Sequence, residues 1–222
     1  LTEAFVTTGR TTVRRHRDRG QYDRDAVYEI LDEGFVCHVA CAVGGTVWMI
    51  PTAYGRDGDR LLLHGAAANN VLKAAAGGAE LTVTVTLLDG IVLARSTFHH
   101  SLNYRSVVIF GRATTIDEPN AKAAALATIV EHMLPGRSRD ARPPDTAELA
   151  STRVVSLPLR EVSAKVRTGG PIDDEQDVAL PVWAGVLPLG LRARPPRPDP
   201  HNQPVVAVPT YLEQPDRWDA GP

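Results

Sequence analysis

Aromatic residues make up only 5% of the chain, so each tryptophan and tyrosine is worth placing. There are two cysteines, Cys37 and Cys41. They stand four apart on a strand-like run and share one face. With no second pair, a thiolate zinc site is not expected, and both read as buried, reduced thiols. No run of about 18 apolar residues occurs, so no membrane association is expected. The opening stretch LTEAFVTTGRTTVRRHRDRG lacks the apolar core of a signal peptide, and the chain reads as cytoplasmic. A formal net charge of −2 argues against a general nucleic-acid binder. Missing too are a Gly-x-Ser-x-Gly elbow and a dinucleotide glycine pattern opening a strand-to-helix turn, so serine-hydrolase and Rossmann chemistry have no visible motif. The acidic run Asp173, Asp174, Glu175, Asp177 has no regular oxygen-ligand spacing. It reads as a solvated loop, and no metal site is expected.

What is present is β-rich. Asp23 is placed to cap a helix over 24–33, with Ala26, Val27, Ile30 and Leu31 as its apolar stripe and Gly34 as its stop. Runs 35–43 and 46–54 flank Gly44-Gly45 as a hairpin, and Pro51 implies a bulge or an edge. A strand over 60–65 precedes a helix over 66–79 that ends at Gly77-Gly78. Strands over 80–88 and 90–96 are expected to turn at Asp89-Gly90. A further strand opens at Tyr104 and runs to about 115. Pro119 starts a helix over 120–134. DTAELAS can form a short helix, and 153–168 reads as one long, interrupted strand. Six or seven strands with short links imply a closed antiparallel barrel decorated by helices. Residues 1–22, with Arg14, Arg15, Arg17 and Arg19, read as a solvated basic lead-in, 23–192 as the barrel domain, and 193–222 as a proline-rich extended tail.

The stretch STFHHSLNYRSVVIFGRA, 96–113, puts two histidines and an Asn-Tyr-Arg-Ser tetrad at the mouth of a strand. It is either a wet barrel edge or one wall of a polar ligand site. His64 ends an apolar strand beside Gly65 and is either a rim residue or a catalytic one. His99 and His100, if on a strand, face opposite sides. His38 reads as a hydrogen-bonded core residue. Arg105 fits an anion contact better than an ion pair. Lys165 and Arg167 alternate to one face, either a solvated edge or a cationic wall for phosphate or an acidic substrate.

The segments HVACAVGGTVWMIPTAYGRDGDRLLLHGAA, TVTLLDGIVLARSTFHHSLNYRSVVIFGRA, SAKVRTGGPIDDEQD and PVWAGVLPL resemble the nitroimidazole-reductase family. That family belongs to the pyridoxamine 5'-phosphate oxidase-like, FMN-binding split barrels, and the resemblance covers roughly 14–190. It implies a six-stranded antiparallel split β-barrel of Greek-key type with flanking helices. It also implies a homodimer with two flavin sites at the interface. Ile50, Pro51, Thr52 and Tyr54 would lie along the isoalloxazine ring, and His64 and Gly65 beside it. The next helix would aim its N-terminus at the phosphate. Asn103, Tyr104, Arg105 and Ser106 would come from the partner subunit, with Arg105 and Ser106 nearest the cofactor. Trp183 would close the site. Family members carry a Ser-Arg pair at that helix start, where this chain has Asn69-Asn70. Two neutral amides do not replace a forked cation, although Lys73, one turn on, offers a point charge.

The function expected is an FMN-dependent oxidoreductase that reduces a small electron-poor compound such as a nitro-heterocycle, with His64 or Tyr54 as proton donor. The Asn69-Asn70 departure keeps two alternatives open. One is haem, with His64 or His99 as axial ligand, or a deazaflavin in place of FMN. The other is a non-catalytic ligand-binding barrel.

Overall fold

The computed structural model describes residues 3–203 and 205–212. In chain order the elements are β1 (Gly20–Gln21), α1 (Arg24–Glu33), β2 (Val36–Val43), β3 (Thr46–Asp57), β4 (Arg60–Ala66), α2 (Asn70–Ala76), β5 (Glu80–Leu93) and β6 (Ser101–Arg112). There follow β7 (Thr114–Thr115), α3 (Pro119–Met133), α4 (Arg137–Asp140), α5 (Thr146–Ser151), β8 (Thr152–Pro158), β9 (Glu161–Arg167) and β10 (Gly185–Pro188). The strands join in the order β1-β9-β6-β5-β2-β3-β4-β8-β7, with β10 on β5. The architecture is mainly β and antiparallel, as expected, and the three strands not anticipated, β1, β7 and β10, are short.

The chain divides into two compact units. One comprises residues 1–87 and 104–168, the other 88–103 and 169–222. The first holds the hydrophobic core. Val27, Ile30 and Leu31 bury one stripe of α1 against Cys37, Val39, Tyr54, Leu61, Leu63, Val83, Val85, Val107, Ile109, Val155 and Val162. Alternate residues of each strand supply this cluster, the period of two that a half-buried sheet requires. A smaller cluster, Leu62, Ala125, Ile129 and Val154, packs α3 on the opposite face of β4 and β8.

Local chemistry explains most boundaries. Gly44 and Gly45 take φ of +56° and +80°, the left-handed conformation a two-residue hairpin needs. Pro51 sits where β3 has no partner in β4, whose pairing begins at Tyr54, so its missing N–H weakens no ladder there. Pro119 occupies the first turn of α3, and the Glu118 carboxylate accepts from the Asn120 and Ala121 amides. Those bonds hold Glu118 below the usual carboxylate range. Asp145 and Glu148 form a reciprocal capping box on α5. Asp23 stands at the N-cap of α1 but makes no side-chain cap bond.

Several expectations are corrected. The helix over 66–79 shrinks to Asn70–Ala76, because Ala66 pairs with Thr152 in the sheet and Asn69 caps the helix. Asp89-Gly90 is no turn: β5 runs through it, and Gly90 lets β10 lie close, since a Cβ there would meet the Leu187 carbonyl oxygen at 3.1 Å. The single strand over 153–168 is two strands. β8 pairs with β4 and β9 with β6, and the chain turns between Pro158 and Glu161. The lead-in is not merely solvated. Phe5 is buried in the core, Ala4 bridges Asp23, and Arg10 pairs with Glu80 and Glu161. Within the described residues, the tail beyond 192 forms no strand and one short 3-10 turn at Thr210–Leu212. Residues 204 and 213–222 of the expected extended tail lie outside the described residues.

Candidate functional site

Strand parity sorts the predicted site residues onto two faces. Cys37 pairs with Thr52, Val39 with Ile50 and Tyr54 with Leu63, so Ile50, Thr52 and Tyr54 point to the core side. Pro51 points the other way, paired with His38. A ligand along β3 therefore meets Pro51, and not Ile50, Thr52 and Tyr54 together. Tyr54 is fully buried, its hydroxyl donates to the Leu31 carbonyl at 2.6 Å, and its ring lies 4.7 Å from that of His132. Its expected role as proton donor is corrected to a structural one, because the hydroxyl closes the C-terminal turn of α1 inside the core. Gly34 is required beside it: a Cβ there would come within 2.6 Å of the tyrosine oxygen.

The outer face of β2 and β3 is apolar and open. Val36 is 50% exposed, Val47 69% and Met49 62%. His38 lies on this face and is exposed, so its reading as a core residue is corrected.

His64 pairs with Val154 and shares a face with Leu62, on the α3 side of β4. It is half-buried, and its Nδ1 is out of water without a hydrogen-bond partner. Burial pushes its pKa below the ordinary histidine value, so the ring is neutral at pH 7. A neutral imidazole with an orphaned nitrogen suits either a bound polar ligand or a metal centre. Gly65, next along, faces the core side: a Cβ there would meet Leu72 Cδ1 at 2.9 Å. Asn69 spends its carbonyl oxygen on the Val71 and Leu72 amides, at 2.9 and 3.1 Å. Those N–H groups, which the resemblance assigns to a phosphate, are thus already satisfied. Asn70 and Lys73 are exposed.

The tetrad at 103–106 also divides. Arg105 shares the core-facing side of β6 with Val107 and Ile109, and its guanidinium forks onto Glu33 at the end of α1, with Nη2 to Oε1 at 2.8 Å. The charge expected to face an anion is engaged within its own chain, and nothing in the sequence signalled Glu33 as its partner. Tyr104 and Ser106 lie on the opposite face, paired with Arg167 and Lys165. Ser106 Oγ donates to the Lys165 carbonyl at 3.3 Å, and Asn103 Nδ2 to the Gly169 carbonyl at 3.2 Å. Arg167 is 5% exposed. Burial, then the nearby Arg19, lower its pKa from the usual arginine value.

In the second unit, Ser96–His100 form a turn rather than a strand, so the two histidines do not alternate across a sheet. His100 Nδ1 bonds the Ser96 carbonyl at 2.9 Å, and His99 Nε2 lies 3.2 Å from Asp174. Asp173 is not solvated. Its carboxylate, with a side chain 2% exposed, accepts from the Arg95 backbone amide at 2.9 Å and from its guanidinium at 2.7 Å. The amide bond is the main reason its pKa falls below the carboxylate range. Trp183 is 69% exposed and lays its ring over Gly185, where a Cβ would meet Cη2 at 2.8 Å.

An open cleft of about 840 Å³ lies elsewhere, between α3 and β4, β7 and β8, lined by Leu62, Ile116, Ala121, Thr128 and Arg160 among others and by none of the predicted site residues. Among the described residues, no three His, Cys, Asp or Glu side chains gather as a metal site, and no helix is long and apolar enough to cross a membrane.

An antiparallel β fold with a helix packed across β4 and β8 and a polar rim at the end of β4 defines a split-barrel protein. The model of the pyridoxamine 5'-phosphate oxidase family matches residues 23–166, and the chain belongs to that family. Among solved structures it is similar to the flavocytochrome Anf3 from Azotobacter vinelandii, with 40% identity, a TM-score of 0.87, and 93% of this chain and 96% of that one covered. It is also similar to the FAD and heme binding protein from Mycobacterium smegmatis, at 33% identity and a TM-score of 0.83, over 88% of this chain and 96% of that one. A protein assigned to 5-nitroimidazole antibiotic resistance in Bacteroides thetaiotaomicron shares the fold at 20% identity and a TM-score of 0.56, over 66% of this chain and 86% of that one. No curated protein matches the chain.

Proposed function

We propose that this protein is a flavin-dependent oxidoreductase that also carries a haem, and that His64 faces a redox cofactor. The observation that carries the reading is His64 itself: a half-buried, neutral imidazole with an unpartnered Nδ1 at the end of β4. Leaving a buried donor or acceptor unmade costs roughly 1–3 kcal/mol, which a ligand at that nitrogen would remove. The two relatives at 33% and 40% identity, named for FAD with haem and as a flavocytochrome, point the same way. The FMN expected from the sequence gives way in this proposal to the dinucleotide, because the Mycobacterium relative is named for FAD. Bound, the flavin supplies hydride chemistry and the haem one-electron transfer. The protein's part is to hold both groups, exclude water and keep His64 unprotonated. The substrate is proposed as a small electron-poor molecule, nitro-heterocycles among them.

His100 gives a second reading for the haem ligand. Its Nδ1 is fixed on the Ser96 carbonyl, the kind of outer bond that orients a ring to ligate through its other nitrogen. His64→Ala and His100→Ala separate the two. The variant that loses haem absorbance while keeping flavin identifies the ligand, and retention of both groups in both variants refutes the histidine assignment.

We also propose a homodimer, in which the open face bearing Val36, Val47 and Met49 lies against a second copy. Apolar side chains this exposed on one sheet face are a liability in a monomer. Light scattering at micromolar concentration should give twice the chain mass; a monomer contradicts the proposal.

A further inference from the structure

The cleft between α3 and β4, β7 and β8, about 840 Å³, has the volume of a small-molecule site, roughly 300–1,000 Å³. All of it belongs to the first compact unit. Strand parity sets its floor. Leu62 pairs with Ser156, and Ser156 pairs with Thr114 on its other side. Leu62 packs under α3, so Ser156 faces α3 as well. The first half of α3 is the wall. Ala121 and Ala124 line the cleft and are exposed, whereas Ile129 packs so closely on β3 that a Cβ at Gly55 would come within 3.0 Å of its Cα. Short side chains at the helix start thus leave open the space that Ile129 fills further along. That start is held in place: Glu118 accepts from the Asn120 and Ala121 amides, and Lys122 donates to the Leu149 and Thr152 carbonyls at 3.3 and 3.2 Å. The cleft is formed in advance, so a ligand need not order it.

Ser156 is the residue that calls for a ligand. It is 5% exposed, it shares its face with Leu62 and Val154, and among the described residues its hydroxyl has no hydrogen-bond partner. An alanine or valine would fill that place without a polar atom. The serine instead turns one donor and two lone pairs toward the cleft. The charges of the lining are unevenly used. Near the β8–β9 turn, Arg60 pairs with Asp57, but the exposed Arg160 forms no ion pair among the described residues. At the other end, Asp117 accepts from the Thr115 hydroxyl at 2.8 Å and Glu118 caps α3. The Ile116 amide donates to the Val154 carbonyl, so this acidic end lies level with Val154. Val154 is four residues before Pro158, roughly 13 Å along the strand, and Arg160 lies beyond. Exposed charges further apart than about 8–10 Å are largely screened at physiological salt. An anion beside Arg160 therefore meets one unmatched guanidinium and is out of reach of Asp117 and Glu118. Between the two ends lie Leu62, Ile116 and Ala125, an apolar surface with Ser156 set into it.

We propose that this cleft binds a small carboxylic acid that carries an apolar body and a hydrogen-bonding group between the two, the chemistry of an N-acylated aromatic amino acid. The carboxylate faces Arg160, Ser156 bonds the central polar group, and the apolar body covers Leu62, Ile116 and Ala125. One unmatched guanidinium selects a monoanion over a phosphate-rich ligand. The proposal does not rest on the oxidoreductase reading, and its test needs no cofactor signal.

The test uses the full-length protein as purified. N-acetylphenylalanine, its uncharged amide, and 3-phenylpropionate, which lacks the acyl amide, are titrated by calorimetry at low salt. Wild type should bind N-acetylphenylalanine saturably and more tightly than either of the other two. Arg160→Gln should weaken it about two- to fivefold, the scale of an exposed charge pair, and bring it level with its amide. Ser156→Ala should weaken it about two- to tenfold, the loss of one neutral hydrogen bond, and bring it level with 3-phenylpropionate without lowering Tm. Ala124→Trp, at an exposed position, fills the cleft and should abolish binding, with Tm showing that the variant folds. Arg14→Gln, exposed in the N-terminal segment, is the charge control and should bind as wild type does. Absence of saturable binding overturns the site. Binding that Ala124→Trp, Arg160→Gln and Ser156→Ala all leave unchanged also overturns it, because the probe then sits elsewhere. Should Ala124→Trp fail to fold, the other two variants decide alone. A Ser156→Ala variant that loses stability and keeps full affinity makes the serine structural and overturns the proposal.

Discussion

Tyr54→Phe separates a structural tyrosine from a catalytic one. The substitution removes one oxygen and keeps the ring against His132. The lost bond is the 2.6 Å contact to the Leu31 carbonyl, which lies in the last turn of α1 and has no helical donor of its own. Both groups are inside the core, so water cannot replace the hydroxyl. An acceptor left unmade in a buried place costs about 1–3 kcal/mol. For a chain of this size each kcal/mol lowers Tm by roughly 2–4 °C, so the variant should melt about 2–12 °C lower. Thermal unfolding followed by circular dichroism measures this, and flavin content and turnover below the transition should match wild type. An unchanged Tm with abolished turnover would refute the reasoning and return Tyr54 to the role of proton donor.

Asn69→Ala should destabilise the protein by about 0.5–2 kcal/mol in denaturant unfolding, because the Val71 and Leu72 amides lose their shared acceptor; no change would show that water replaces the cap freely. His64, with its pKa lowered in the fold, binds a proton more readily when unfolded, so stability should fall as pH drops below about 6.5 toward the lowered folded value and be fully restored above 6.5. In protein freed of cofactor, melting curves at pH 7.5 and 5.5 should show a smaller difference in His64→Gln than in wild type, and equal differences would count against burial as the cause. Cys37, with its thiol pushed up to about 12 by burial, should resist alkylation at pH 8 in the native protein and react on unfolding; rapid native labelling at Cys37 would contradict its placement.

The fold was largely legible because its signals are local. Gly44-Gly45 between two β-rich runs, Pro119 ahead of an alanine-rich helix and the apolar stripe of α1 each specify their own element. Local signals mislead where tertiary contact overrides local chemistry. Asp89-Gly90 resembles a hairpin turn, yet it lies inside β5, and Gly90 pairs with Pro188 of β10. Pro158 reads as an interruption within one strand, but it marks a change of partner from β4 to β6. Of the candidate site, the common face of Lys165 and Arg167 follows from parity alone. Parity also divides Tyr104 and Ser106 from Arg105, a consequence already contained in the tetrad. The Glu33–Arg105 pair joins residues 72 apart in the chain and has no sequence signature. Arg19 reads in the sequence as one of several solvated arginines, because its proximity to Arg167 depends on β1 pairing with β9.

The visible absorption spectrum of the freshly purified protein tests the central claim most directly. It should show flavin bands together with a Soret band that shifts on reduction, with the Soret band lost in His64→Ala or His100→Ala while the flavin bands persist. A protein that shows neither flavin nor haem absorbance, after expression with both precursors supplied, would contradict it.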